Sequence, residues 1–172
     1  MFADLKIIVK RFRKDAMTFY YNFGEKIPIQ YLIKKMSFFI QEYTQKSGVR
    51  PFGTSIILIG SDENGPCLYR INPGGVYSKN YLCSFGENSI ECLQFLEKRW
   101  NTNYTSKDSI DLGILCLKEI SDIKTISENI QIAFLSKNNE IKILGKKRIQ
   151  NSIETLFPPE RIFEKVFAKL NS

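Results

Sequence analysis

Gly53-Thr54 is the dipeptide of this chain best suited to nucleophilic chemistry. Cleavage between the two would free a threonine whose hydroxyl is the nucleophile and whose new amino terminus is the base beside it. Histidine, the commonest general base, is absent from all 172 residues, so any chemistry would rest on carboxylates, lysines or a terminal amine. Cutting before Thr54 would also discard two long amphipathic segments that a folded core requires, and Thr54 therefore reads as a strand-edge residue. The four cysteines, Cys67, Cys83, Cys92 and Cys116, form no Cys-x-x-Cys pair. Zinc is ordinarily held by Cys or His ligands at close spacing, so the pattern predicts neither a metal site nor a cofactor. They read as small buried thiols of a reducing compartment.

A formal charge of +7 raises the possibility of a basic nucleic-acid-binding module. The cations are spread out, however, with small clusters at Lys10-Arg11-Arg13-Lys14, Lys34-Lys35 and Lys146-Lys147-Arg148, and no aromatic-and-glycine RNA-binding signature accompanies them. They read as solvated faces and subunit contacts, and salt dependence of nucleic-acid affinity would separate the two readings. No apolar run approaches the ~20 residues of a membrane helix. The opening Met1-Phe2-Ala3-Asp4-Leu5-Lys6 lacks the layout of a secretory signal, which predicts a protein of the cytoplasm and nucleus.

The elements that must position these residues follow from periodicity. Asp4 is placed to cap a first helix whose stripe is Leu5, Ile8, Val9, Phe12, Ala16 and Tyr20. After Gly24, Pro28 opens a second helix carrying Ile29, Leu32, Ile33, Met36, Phe39, Ile40 and Tyr43, and the short connection predicts an antiparallel pair with Ile33, Met36 and Ile40 buried and Lys34 and Lys35 outside. Gly48 ends that segment, Pro51 biases Arg50 away from helix, and Gly53 relaxes the backbone before Ile56-Ile57-Leu58-Ile59. This run has no polar alternation and predicts a strand over 55–60 buried on both faces.

Ser61-Asp62-Glu63-Asn64-Gly65 reads as a hairpin turn into a strand over 67–71. Pro73-Gly74-Gly75 makes another turn, and residues 76–85 supply one or two further strands. A third helix from Ser89 would bury Ile90, Leu93, Phe95, Leu96 and Trp100. A fourth begins at a capping box around Thr105 to Asp108, with Ile110, Ile114 and Leu117 on one face and Leu112, Leu115 and Cys116 widening it; Gly113 within it suggests a close helix crossing. Strands at 130–135 and 141–144 flank a turn at 137–140, and helical residues run from Lys146, broken at Pro158-Pro159. Helices clustered around antiparallel strands, with no repeat or linker, define one α+β layered domain over 1–172.

The run Gln41-Glu42-Tyr43-Thr44-Gln45 followed by Gly48-Val49-Arg50-Pro51-Phe52-Gly53 closely resembles the 20S proteasome alpha subunits, most of all their type-2 branch. Ala3-Asp4 with Val9 and Arg11-x-Arg13-Lys14 is similar to the opening of the family's first long helix, and Ile27-Pro28 to the start of its second. Asn72-Pro73 with Gly75 resembles an Asp-Pro-Ser-Gly turn in which Asn72 replaces the acid. Phe95-Leu96-Glu97-Lys98-Arg99-Trp100-Asn101, Asp108-x-Ile110, Leu115-x-Leu117-Lys118-Glu119 and Glu128-Asn129-Ile130 continue the likeness, which runs over about 3–145 and leaves 146–172 as a divergent helical tail.

The resemblance implies a four-layer αββα sandwich of the N-terminal-nucleophile-hydrolase kind and a non-catalytic place in a seven-membered ring. Such a subunit supports assembly with neighbouring alpha and beta subunits, restricts substrate entry in ubiquitin-dependent protein degradation, and meets activators through the ring. No catalytic, cofactor or metal residue is implied. In the family's catalytic beta subunits the threonine works with an Asp and a Lys, at places that here hold Arg70 and Gly86, which counts against the threonine-hydrolase alternative at Gly53-Thr54. The family's gating tail, activator-pocket lysine and N-terminal strands have no counterpart in this sequence. Without those strands the sheet around Ile56 to Ile59 is expected to keep an open apolar edge, and the chain expressed alone is expected to aggregate.

Overall fold

The computed structural model describes residues 2–63, 65–120, 130–136 and 140–156. It forms two compact units, divided between Cys83 and Ser84.

The first unit is a helical pair laid on a sheet. α1 (Phe2–Phe23) and α2 (Ile29–Gln45) run antiparallel: Phe12 meets Phe39 edge-on at 5.7 Å, Asp15 meets Lys35 at 3.4 Å, and Phe19 meets Tyr31 at 5.6 Å, so partner numbers fall along α2 as they rise along α1. The predicted phase of α2 holds, with Ile33, Met36 and Ile40 buried and Lys34 and Lys35 exposed. On α1, Ile8 and Phe12 reach the core, but Tyr20, predicted on the same stripe, is exposed. At that level of the helix Phe19, and not Tyr20, meets α2, through Tyr31.

β1 (Ile56–Asp62), β2 (Gly65–Ile71) and β3 (Tyr77–Asn80) form an antiparallel sheet in the order β1-β2-β3. Ile56 opposes Ile71 and Asp62 opposes Gly65, which fixes a tight hairpin; Asn64 lies outside the described residues, and Gly65 takes a left-handed φ of 103°. The register corrects the strand reading. Ile56 packs into the core, whereas Ile57 and Ile59 are 44% and 42% exposed, so β1 is covered on one face within this unit. A continuous apolar run conceals the two-residue period that burial then reveals. Residues 81–83 do not extend β3, and the strands expected across 76–85 reduce to this one.

Two glycines set how closely the layers meet. A side chain at Gly60 would collide with the Ile29 side chain at the start of α2. Gly75, at φ 85°, would place a Cβ 2.7 Å from the Ser37 carbonyl oxygen, so the 72–75 turn can lie against α2 only without a side chain there.

The second unit holds α3 (Ser89–Arg99), α4 (Ser106–Ile120), a two-stranded antiparallel ribbon of β4 (Ala133–Leu135) and β5 (Ile141–Ile143), and α5 (Lys146–Leu156). The capping box is as expected. Thr105 donates its amide to Asp108 Oδ2 at 2.9 Å, and the Asp108 amide donates to Thr105 Oγ1 at 3.3 Å. The Thr105 hydroxyl, donating to Asp108 Oδ2 at 2.7 Å, and then the Thr105 amide hold the Asp108 carboxyl below its ordinary range. α4 buries Leu112, Ile114 and Cys116, while Leu117, expected on the inner face, is exposed.

α3 differs from its reading. Ile90 is 73% exposed, and no residue of the helix is fully buried. Nothing among the described residues comes within 4 Å of a Cβ built at Gly113, so the close crossing suggested there is absent from the described structure. A smaller cluster of Ile130, Leu144 and Ile149 gathers Ile110, Ile132, Phe134 and Ile153 around it. The turn at 137–139 and the chain from Phe157, with Pro158-Pro159, lie outside the described residues.

Candidate functional site

The stretch around Gly53-Thr54 is positioned from the far end of the unit. α1 begins at Phe2, so Asp4 sits inside its first turn and does not cap it as the sequence suggested. Its carboxylate instead leaves the helix and is buried, 3% exposed. Pro51 keeps Arg50 extended, which aims the guanidinium back at α1. Arg50 Nη2 donates to Asp4 Oδ1 at 2.7 Å and Nη1 donates to Oδ2 at 2.9 Å, a two-pronged pair. The Gly53 amide donates to Oδ2 at 3.0 Å. Phe52, between them, is buried against Tyr43 at 4.6 Å and Phe39 at 5.7 Å.

The Arg50 hydrogen bonds, with the Gly53 amide second, bring the Asp4 carboxyl down to about 2 although burial opposes them. A carboxylate that acidic and that fully bonded holds no proton at neutral pH and makes a poor base. Its role is to lock residues 50–53 onto the first helix.

Thr54 follows this lock directly. It is half-buried, and its hydroxyl donates to the carbonyl of the adjacent Ser55 at 3.3 Å, an acceptor that cannot take its proton. Arg70 stands on β2 opposite Ile57 and Ser78, and Gly86 is a left-handed residue of the second unit with no side chain to offer. Among the described residues no group of three or more histidines, cysteines or acids could hold a metal ion.

The cysteines are all free, and only Cys67 and Cys116 are fully buried; Cys83 and Cys92, expected to be buried, are half-exposed. The Cys116 thiol donates toward the Cys92 carbonyl at 3.7 Å, and burial, with the adjacent Cys92, pushes it up to about 11. A thiol so protonated is a poor nucleophile. Sequence reasoning missed the Asp4 lock because nothing in local periodicity links residues 4 and 50; the one usable signal was an arginine held extended by its proline.

Residues 1–135 match the family model described as proteasome subunit. The chain belongs to the proteasome subunit family. It is 34% identical over 156 residues to proteasome subunit alpha type-2 of Dictyostelium discoideum, an alignment covering 91% of this chain and 67% of that one. It is 37% identical over 138 residues to proteasome subunit alpha type-2 of Drosophila melanogaster, covering 80% and 59%. With the proteasome subunit alpha of Methanopyrus kandleri it shares 33% over 158 residues, covering 92% and 64%. The chain thus spans about two thirds of the length of the curated relatives it matches. Membership of the proteasome subunit family, together with helices packed on antiparallel strands, gives an α+β fold of the N-terminal-nucleophile-hydrolase kind.

Proposed function

We propose that this chain is a non-catalytic alpha-ring subunit of the 20S proteasome, whose role is assembly and restricted substrate entry in intracellular protein degradation. The observation that carries this reading is similarity over nine tenths of the chain to subunits named alpha type-2. The geometry at Thr54 supports it. A threonine protease needs the threonine's own amine free, whereas here Gly53 is tied to Asp4 on one side and the Thr54 hydroxyl rests on a carbonyl.

In this reading the first unit's helical pair and sheet would be two layers of an αββα sandwich, and the exposed Ile57 and Ile59 support it by lying on the face a second sheet would cover. Neighbouring alpha and beta subunits are the partners in this reading, activators act through the assembled ring, and the protein works in the cytoplasm and nucleus. Purified particles containing a tagged copy of the chain test it. The Thr54→Ala particle should cleave peptide substrates within about twofold of the parent, since no transition-state contact is removed. A large fall in turnover with assembly intact would overturn the non-catalytic reading.

A further inference from the structure

Two of the four cysteines meet inside the second unit. Cys92 lies near the start of α3 and Cys116 near the end of α4, and the two helices pack against each other. The Cys116 sulfur sits 3.7 Å from the Cys92 carbonyl oxygen, across 24 positions of sequence, and the two thiols are close enough to share a hydrogen bond. Their access to solvent differs. Cys92 is half-exposed, whereas Cys116 is buried behind it. A small oxidant arriving from solvent therefore reaches one sulfur first and finds a second already beside it, the arrangement of an attacking thiol and its resolving partner. Burial keeps the Cys116 thiol protonated, so the first attack falls to Cys92.

We propose that Cys92 and Cys116 are an oxidative modification site, at which hydrogen peroxide joins the two thiols in a disulfide that ties α3 to α4. Cys92 loses its proton to water, and its thiolate attacks one peroxide oxygen. The O–O bond breaks, hydroxide leaves and takes up a proton, and Cys92 becomes a sulfenic acid, oxidised by two electrons as the peroxide is reduced. The Cys116 sulfur then attacks the sulfenic sulfur. The S–S bond forms as the S–O bond breaks, and the Cys116 proton departs with the hydroxyl as water. Two thiols and one peroxide give one disulfide and two waters. A protonated thiol is a slow nucleophile in free solution, but Cys116 is already in contact with its target, and that proximity offsets the small thiolate fraction. The tie falls where packing is weakest, because α3 has no fully buried residue. Closing the chain between positions 92 and 116 restricts the opened state, and dithiol reductants of a reducing compartment reverse it. The inference uses contacts within the second unit alone and is independent of the ring-subunit reading.

The test uses the full tagged chain as purified from cells, in whatever assembly it occupies, treated with hydrogen peroxide after reduction and removal of the reductant. Free thiols are alkylated before digestion, and peptides are read by mass spectrometry. The expected product is one pair of peptides joined through Cys92 and Cys116, lighter by two hydrogen atoms and separated again by a dithiol reductant. In Cys116→Ser the link should vanish and Cys92 should be captured as a sulfenic acid by dimedone. The control Cys83→Ser, at a half-exposed cysteine of the first unit, should form the link at the parent level. Amide exchange in α3 should slow about tenfold in the oxidised parent relative to the reduced one. Oxidation of the parent that stops at Cys92 as a sulfinic acid, a bond from Cys92 to a thiol of another chain, recovery of both thiols free, or equal exchange rates in the linked and reduced parent overturn the proposal.

Discussion

The two units solve the same problem of covering apolar surface in different ways. In the first, side chains from α1, α2, β1 and β2 interlock in one core, and a polar lock of Asp4, Arg50 and the Gly53 amide closes its end. In the second, α3 has no fully buried residue, and the core gathers around Ile130, Leu144 and Ile149. The first unit is therefore the rigid part, where sequence changes inside will be felt, and the second the tolerant part.

Truncating the interlocked core should have the largest effect. Met36→Ala is expected to cost about 2–5 kcal/mol in denaturant titration, while Leu93→Ala on the half-covered α3 should cost about 1 kcal/mol. Equal losses would break the comparison. Removing the lock's charge comes next. Because Asp4 is depressed from 3.8 to about 2, its contribution is complete above its unfolded pKa and disappears as pH falls through the interval from about 4 to 2. Asp4→Asn should lower the melting temperature at neutral pH and flatten its decline across that acid window. A variant as pH-sensitive as the parent there would mean that other carboxylates carry the acid response.

Smaller effects separate local from tertiary support in the second unit. Thr105→Ala removes the box at the head of α4 and should cost about 0.5–2 kcal/mol by thermal denaturation. Ile90→Ser should change stability by no more than about 0.5 kcal/mol, since Ile90 already faces solvent. A larger loss would show that another surface covers α3.

Where sequence pattern and burial share a period, the chain was readable. The stripes of α2, the Asp62–Gly65 hairpin and the Thr105 box were all legible, because each is decided by residues within a turn or two of one another. The misreadings share a different cause. Ile57, Ile59 and Ile90 are apolar yet exposed, because the layer that determines burial is supplied by other segments and not by the residue's own type. Asp4 was assigned to the nearest unsatisfied helix amides, a local solution, when an arginine far along the chain offered a stronger one. Tyr20 fits the apolar stripe by type and spacing, yet at its level the neighbouring Phe19 is the residue that meets α2.

The Asp4–Arg50 pair also bears on the order in which the unit assembles. It joins residues separated by nearly the whole length of both long helices. Closing a loop of that size in an open chain is slow, but once α1 and α2 fold back on each other their far ends already lie side by side, and little search remains. The pair then behaves as a latch, fastened after the hairpin has formed. A latch of this kind sets how long the folded unit lasts more than how fast it is reached, so weakening it should quicken unfolding and leave the folding rate nearly unchanged.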